Sequence, residues 1–328
     1  MSAGWCQTEA LLAAVPEVAT GRWQVRWAGV VGVLRHHRKW FVFIRLSYRP
    51  KGQSRTRTAQ VVAKVDPDGR GSAELEALRR LWAAGLRPPG RHRVPRPYGY
   101  APGPKALLEG AAPGTLWVEY LQGRPDGLAA ASRRAAGWLR RLQSLPVEAD
   151  LIGPDPDLTC AQAAELARLF PEAAAPLRAA ADRLADLLLA YRGPPVPAHG
   201  DYHPKQVFLT PALTTVVDFD AFGLREPAFD VGHAVGQLLG MSYFRTGSFA
   251  AGARGAAAFW QAYRQGGLAE WSRVKVHVGR TLIQVLHYAL VRLGSGRPEM
   301  ATEWANLVRT FLDGDPGVLE ELGTPTGR

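Results

Sequence analysis

The sequence predicts an α+β protein of two lobes, a small β-rich one followed by a larger helical one. Three observations predict it. Residues 23–65 are dominated by β-branched and aromatic types. Beyond Gly123 the texture changes to long Ala/Leu/Arg segments of helical period, and a polar island at 199–230 interrupts them. A chain of 328 residues suits about two domains and can bury a core without disulfides or a structural metal.

In chain order, Trp40–Tyr48 and Ala59–Val65 read as strands, with Lys51–Thr58 as the turn between them. Asp66–Gly71 breaks the run. Ser72–Leu86 then carries Leu75, Leu78, Leu81 and Trp82 on one helical face and Gly85 near its end. Val94–Tyr100 is punctuated by proline. Ala106–Glu109 and Thr115–Leu121 read as two further strands joined through Gly110–Gly114, for about five strands and one helix in this half. The remaining segments 128–145, 161–191, 252–265, 271–293 and 300–312 have helical period and propensity. The lobes are therefore expected at 1–118 and 124–328, with a hinge at 119–123.

The formal charge is +11. A basic excess of that size suggests nucleic acid or an anionic membrane as partner. Its distribution argues otherwise. Residues 1–118 hold 19 Lys and Arg against 7 Asp and Glu, whereas 119–328 hold 21 against 22. The ten basic residues of 22–57, with no acid among them, fit the solvated face of a strand pair protected from edge association better than a polyanion site. Cys6 and Cys160 cannot build a disulfide framework, and no Cys/His cluster has zinc spacing. No basic residue precedes the first apolar run, and no apolar run approaches a membrane span, so the expected location is cytoplasmic with no membrane partner.

The chemistry concentrates in the island. His199-Gly-Asp-Tyr-His-Pro-Lys-Gln-Val-Phe-Leu209 and Thr215-Val-Val-Asp-Phe-Asp220 are each a polar cluster abutting a short apolar strand. Paired as a hairpin, they would bring Asp201, Gln206 and Asp218 together. Oxygen donors of this kind suit Mg²⁺ beside phosphate, and a carboxylate off the metal would face a hydroxyl proton. In a chain with 34 Arg and 6 Lys, Lys64 stands at the end of a strand with Glu74 or Glu76 ahead of it to hold its ammonium. Asp220 suits a metal contact or a structural hydrogen bond. Lys205 suits a phosphate contact or a solvated loop. His277 and His287 read as packing or surface histidines rather than ligands, and Trp260, Tyr263, Trp271 and Trp304 as core aromatics rather than the lining of an acceptor pocket.

These residues resemble the aminoglycoside phosphotransferase and choline kinase-like family, which has the protein-kinase-like fold. Its catalytic loop reads H-G-D-x-H-P-x-N, followed by a strand and I-D-[FW]-[DE]. This chain has HGDYHPKQVFL and VVDFDAFGLREPAFDVGHAVG, with VVAKV, ELEALRRL and LWVEYLQGRP upstream. The resemblance spans roughly residues 25–240. It implies an ATP- and Mg²⁺-dependent small-molecule kinase acting on a hydroxylated acceptor: a sugar, amino sugar, antibiotic or amino alcohol. Asp201 would be the catalytic or hydroxyl-orienting carboxylate and Asp218 the principal Mg²⁺ ligand. Lys64 would contact the phosphates with Glu74 as its better-aligned partner, and backbone around Glu119–Leu121 would hold the adenine. His199 and His203 would brace the loop, and Asp230 would be a structural acid. Gln206 stands where the family has Asn. Its extra methylene displaces the amide oxygen by roughly 1.5 Å, and we take it as a working ligand. Gly29 and Gly32 are the one candidate for a phosphate-covering glycine loop, equally readable as strand bulge glycines. No Walker A pattern occurs. The rival readings are a nucleotide-binding scaffold without turnover and, more remotely, a nucleic-acid-binding protein. The near-neutral second lobe disfavours a polycationic acceptor.

Overall fold

A computed structural model describes residues 8–36, 38–123, 125–295 and 297–324. Cys6 lies outside the described residues; Cys160 is a free, half-buried thiol. The chain divides into two compact units, Met1–Gly114 with Thr210–Phe222, and Thr115–Leu209 with Gly223–Arg328. The polar island is shared between the units.

The first unit is built on a five-stranded sheet. After a short helix α1 (Pro16–Ala19) come β1 (Trp23–His36), β2 (Lys39–Pro50) and β3 (Arg57–Val65), helix α2 (Gly71–Ala83), then β4 (His92–Arg93), β5 (Pro97–Ala101) and β6 (Ala106–Gly110). The sheet order is β1-β2-β3-β6-β5. The fifth strand is the proline-punctuated Pro97–Ala101, which sequence reading passed over because proline cannot donate to a ladder; at the sheet edge this is tolerated. The core is formed by Ile44, Leu46, Val61, Ala63 and Leu108, with Trp23 stacked on Tyr48 at 4.0 Å. Gly29 and Gly32 lie inside β1. A bulge falls at Val31 between them, and the turn joining β1 to β2 is the basic stretch after His36. The glycines therefore serve the strand: a Cβ on Gly29 would meet the Trp27 ring at 2.7 Å.

The second unit begins with β7 (Thr115–Leu116), which pairs antiparallel with β9 (Val207–Leu209). The expected strand 115–121 ends after two residues, and Trp117–Gln122 is a 3₁₀ helix. Val118 and Leu121 lie one 3₁₀ turn apart and are buried together, where an extended strand would put them on opposite faces, and Trp117 is buried beside them. Helices α3 (Pro125–Gln143), α4 (Pro156–Leu169) and α5 (Ala174–Leu189) follow. Pro171 opens the 3₁₀ turn Pro171–Ala173 and splits the expected helix 161–191 into α4 and α5. β8 (Val196–Ala198) pairs with β11 (Gly223–Arg225), while β10 (Thr214–Val216) belongs to the first unit and runs parallel to β4. The unit closes with α6 (Ala228–Thr246), α7 (Ala250–Tyr263), α8 (Trp271–His287), α9 (Met300–Asp313) and α10 (Val318–Gly323).

Helix α6 has no counterpart in the sequence reading. It is buried nearly all round and therefore lacks an amphipathic period. Gly232, Gly236 and Gly240 form a ridge along it at i, i+4 and i+8. A Cβ at Gly232 would meet His277 Cβ at 2.5 Å, one at Gly236 would meet Thr281 Cβ at 2.7 Å, and one at Gly240 would meet Val285 Cγ1 at 2.8 Å. The glycines let α6 and α8 approach closely enough to bring His233 against Thr281. Trp260, Tyr263 and Trp304 are core residues of this unit. Among the described residues, no helix is long and apolar enough to cross a membrane.

Candidate active site

Two clusters of functional side chains form, one in each unit. In the first, Lys64 lies on β3 opposite Phe41 of β2 and Leu107 of β6, and is 2 % exposed. Its Nζ donates to Glu74 Oε2 at 2.8 Å and to Asp218 Oδ1. Glu74, in the first turn of α2, uses its other oxygen to accept from Phe219 N–H at 3.0 Å. It thereby ties the lysine to the backbone just past Asp218. Glu76 is exposed and pairs with Arg79 at 2.8 Å, so α2 presents Glu74 and not Glu76 to the lysine. Asp218 itself has φ 72°, a left-handed conformation that aspartate adopts more readily than most side chains. Asp220 accepts from Lys39 Nζ at 2.7 Å, so the basic β1–β2 turn is anchored next to the strand-end acids.

Burial alone would lower the Lys64 pKa, but the carboxylates of Glu74 and Asp218 outweigh it and raise the lysine above its ordinary value. Burial pushes the Glu74 carboxyl up against the pull of Lys64, with Asp218 adding to the rise. Glu109 on β6 completes this neighbourhood. It is buried, its Oε2 has no hydrogen-bond partner, and burial together with Glu74 lifts its pKa to about 8. Sequence reading missed it. Its mark was a lone acid in an otherwise apolar strand, Ala106-Leu-Leu-Glu109.

The second cluster surrounds Asp201. Tyr202 anchors the loop: it is fully buried, stacks on Trp138 at 5.7 Å, and donates its hydroxyl to Ala135 O at 2.9 Å. Asp230 of α6 is also fully buried and accepts from His199 N–H at 2.6 Å and Gly200 N–H at 3.0 Å. Gly200 has φ 87°, which a side chain would strain. Asp201 is left 41 % exposed, with Oδ1 3.0 Å from His233 Nε2 and Oδ2 3.4 Å from His203 Nε2. Lys205 N–H donates to His203 Nδ1 at 3.1 Å, which places the ring proton on Nε2, facing Asp201. Burial would raise the Asp201 pKa, but hydrogen bonds from the two histidines dominate and hold it well below the usual carboxylate range. His233, buried, has its own pKa lowered chiefly by that burial, against the pull of Asp201. His199 is buried edge-on to Tyr202 at 5.8 Å. Gln206 is buried, its amide 3.3 Å from His203 Nε2.

His233 is the residue sequence reading most needed and did not single out. The available signal was its spacing from Asp230. Three residues apart on a helix, the two share a face, and that face braces residues 199–201. His277 and His287, read as packing or surface histidines, are buried and bond Glu226 at 3.0 Å and Glu165 at 2.7 Å.

No cluster of three or more His, Cys, Asp or Glu side chains suited to a metal ion occurs among the described residues. Asp218 offers a carboxylate oxygen, the donor type that Mg²⁺ takes together with phosphate and water.

A sheet-borne lysine tied to a helical glutamate, followed by a helical unit that carries an HGD loop, is the organisation of protein-kinase-like phosphotransferases, and the fold places the chain in that class. More narrowly, residues 50–277 match the model of the phosphotransferase enzyme family, and the chain belongs to that family. No curated protein matches it by sequence. Solved structures similar in fold include a choline/ethanolamine kinase family protein from Mesorhizobium loti, 15 % identical over 97 % of this chain and 99 % of that one, with a TM-score of 0.58. Aminoglycoside phosphotransferase APH(4)-Ia is 13 % identical over 94 % and 100 %, with a TM-score of 0.61. Amicoumacin kinase hAmiN, solved with AMP-PNP, Ca²⁺ and Ami, is 14 % identical over 95 % and 93 %, with a TM-score of 0.54.

Proposed function

We propose that this protein transfers the γ-phosphoryl group of Mg²⁺·ATP to a hydroxyl of a small molecule. The observation that carries the reading is the bracing of Asp201. A carboxylate held ionised by two histidines, on a loop fixed by Asp230 and Tyr202, is set to orient a hydroxyl. With so low a pKa, Asp201 is a weak proton acceptor in the ground state. It directs the hydroxyl lone pair at phosphorus and takes the proton late, as a loose phosphoryl-transfer transition state requires. Lys64, aimed by Glu74, would neutralise phosphate charge. Asp218 would hold Mg²⁺, with Gln206 as the further ligand that the family resemblance implies, and the ion would supply neutralisation of phosphate charge.

For the nucleotide base we propose a different stretch from the Glu119–Leu121 backbone that the resemblance implies. Glu119 and Leu121 belong to a 3₁₀ turn in which Val118 N–H already donates to Pro204 O at 3.0 Å. We assign base contacts to the loop Ala111–Gly114, where the chain leaves β6. The cellular location inferred from the sequence, the cytoplasm, is part of the same proposal.

Asp201→Ala and Asp218→Ala are each expected to abolish acceptor-dependent ADP release, with nucleotide affinity better preserved in the former. A panel of sugars, amino sugars, antibiotics and amino alcohols provides the acceptor. Full activity in Asp201→Ala would refute the assignment, and nucleotide binding without turnover on any acceptor would favour the scaffold reading.

A further inference from the structure

Two neighbouring arginines of the helical unit, one of them linked to Asp201 through His233, make no close ion pair among the described residues. Arg225 lies on β11 and Arg280 on α8, and their guanidinium carbons sit over the Phe229 ring at 4.4 and 4.3 Å. Arg280 Nη2 is 3.4 Å from His233 Nδ1, and the opposite nitrogen of that ring is 3.0 Å from Asp201 Oδ1. One imidazole therefore separates a guanidinium from the carboxylate proposed to orient the acceptor.

Among the described residues neither guanidinium has a carboxylate at ion-pair distance, and the Nε of each is buried without a hydrogen-bond partner. Asp230 attracts both arginines and Asp201 attracts Arg280 at longer range, but their oxygens are bonded elsewhere, Asp230 to the backbone of His199 and Gly200 and Asp201 to His203 and His233. Arg273, on the same face of α8 two turns earlier, shows the contrast. It is bidentate on Glu226, at 2.6 and 2.9 Å. Desolvated cations are ordinarily paired in this way, and two left unpaired side by side repel each other. Burial and then the charge of Arg225 bring the Arg280 pKa down to about 10. Both side chains keep partial exposure, so a ligand can reach them. One turn further along α8, Gln284 Oε1 is buried and unpartnered, a ready acceptor for a ligand hydroxyl.

We propose that Arg225 and Arg280 form a subsite for an anionic group of the acceptor, a carboxylate or a phosphate monoester. The substrate is then a hydroxylated acid or a phosphorylated polyol, and a polycation is excluded. This rests on the phosphotransferase reading for its chemistry but not for its binding.

The test uses acid and amide pairs on polyol chains of increasing length, from glycerate and glyceramide to gluconate and gluconamide, with the corresponding monophosphates. Each is measured for phosphate transfer and, by calorimetry at saturating ADP, for binding. At least one acid or monophosphate is expected to exceed its neutral counterpart by roughly 10- to 100-fold, as a charge-assisted pair of hydrogen bonds gives. Whether acid or monophosphate leads identifies the anion. Arg225→Gln and Arg280→Gln should bring that ratio toward one, and Arg280→Lys should retain more of it than Arg280→Gln, a difference that loss of packing alone does not give. Equal binding of all acid and amide pairs, or turnover confined to neutral or cationic acceptors, overturns the inference. Anion binding that depends on both arginines without any phosphate transfer supports the subsite and counts against the phosphotransferase reading instead.

Discussion

The substitution Glu109→Gln should make the sheet unit progressively more stable than the wild type as pH rises. In the native protein this carboxyl is buried on β6 with an unpartnered Oε2, close to the acids that share Lys64. Its pKa is raised from the ordinary 4.5 to about 8 by burial first and Glu74 second. A raised carboxyl pKa means that the folded state binds a proton the unfolded state has released throughout that interval. Stability must therefore fall as pH climbs from the unfolded pKa to the folded one, and level off above it. The gap of about 3.5 pH units, at 1.36 kcal/mol each, bounds the loss at about 5 kcal/mol, of which about 3 is already incurred at pH 7. The substituted amide would be neutral at every pH, so this contribution to the slope disappears while those of all other groups cancel in the comparison. Hydrogen exchange at β3 and β6 amides, followed at pH 5, 7 and 9 after correction for intrinsic rates, reads the stability of this unit locally. The variant should gain on the wild type by several kcal/mol between pH 5 and 9. Parallel profiles for the two proteins would refute the reasoning, since they would mean that Glu109 is ionised in the folded state.

Three other perturbations follow from the same geometry. His233→Gln should lower kcat by on the order of 100-fold, because Asp201 loses the group fixing one oxygen; the expected signature is a fall in kcat with little change in the KM for ATP, measured in steady-state kinetics. Gly232→Ala should destabilise the helical unit by about 2 kcal/mol net of its gain in helix propensity, since the new methyl meets Val274 O at 2.6 Å as well as His277; denaturant melts check this. Glu226→Gln should cost on the order of 3 kcal/mol at neutral pH by leaving Arg273 and His277 without their acid. The Glu226 pKa is depressed despite burial because Arg273 and His277 hold it ionised. Its stabilisation is thus present above the unfolded pKa and lost as pH falls through the folded one, and melts at pH 7 and about pH 3 should show the variant's deficit shrinking.

The residues legible in the sequence are those whose role rests on a short local pattern. Lys64 at a strand end, Glu74 in the next helix and Asp218 closing a strand all appear as expected types at expected spacing, and the structure joins them in one network. What the sequence hid depends on burial or on distant neighbours. Trp117–Gln122 reads as a strand because its residues favour β structure, but only packing shows that Val118 and Leu121 need to share a face. Gly29 and Gly32 resemble a phosphate loop until the register shows a bulge between them and places the turn beyond His36. Helix α6 is apolar and glycine-rich, so neither period nor propensity announces it, and His233 is lost with it.

The glycine ridge of α6 also separates two demands that the proposed phosphotransferase would have to meet. Because backbone meets side chain directly at Gly232, Gly236 and Gly240, the spacing of α6 and α8 acts as a fixed datum. His233 takes its position over Asp201 from that datum. Arg225, Phe229, Arg280 and Gln284 are not among the residues that meet these three glycines. If the proposed reaction holds, exchanges among these four would retune the acceptor while leaving Asp201 and its bracing histidine where they are, so descendants of this scaffold would be free to change clientele without relearning the chemistry.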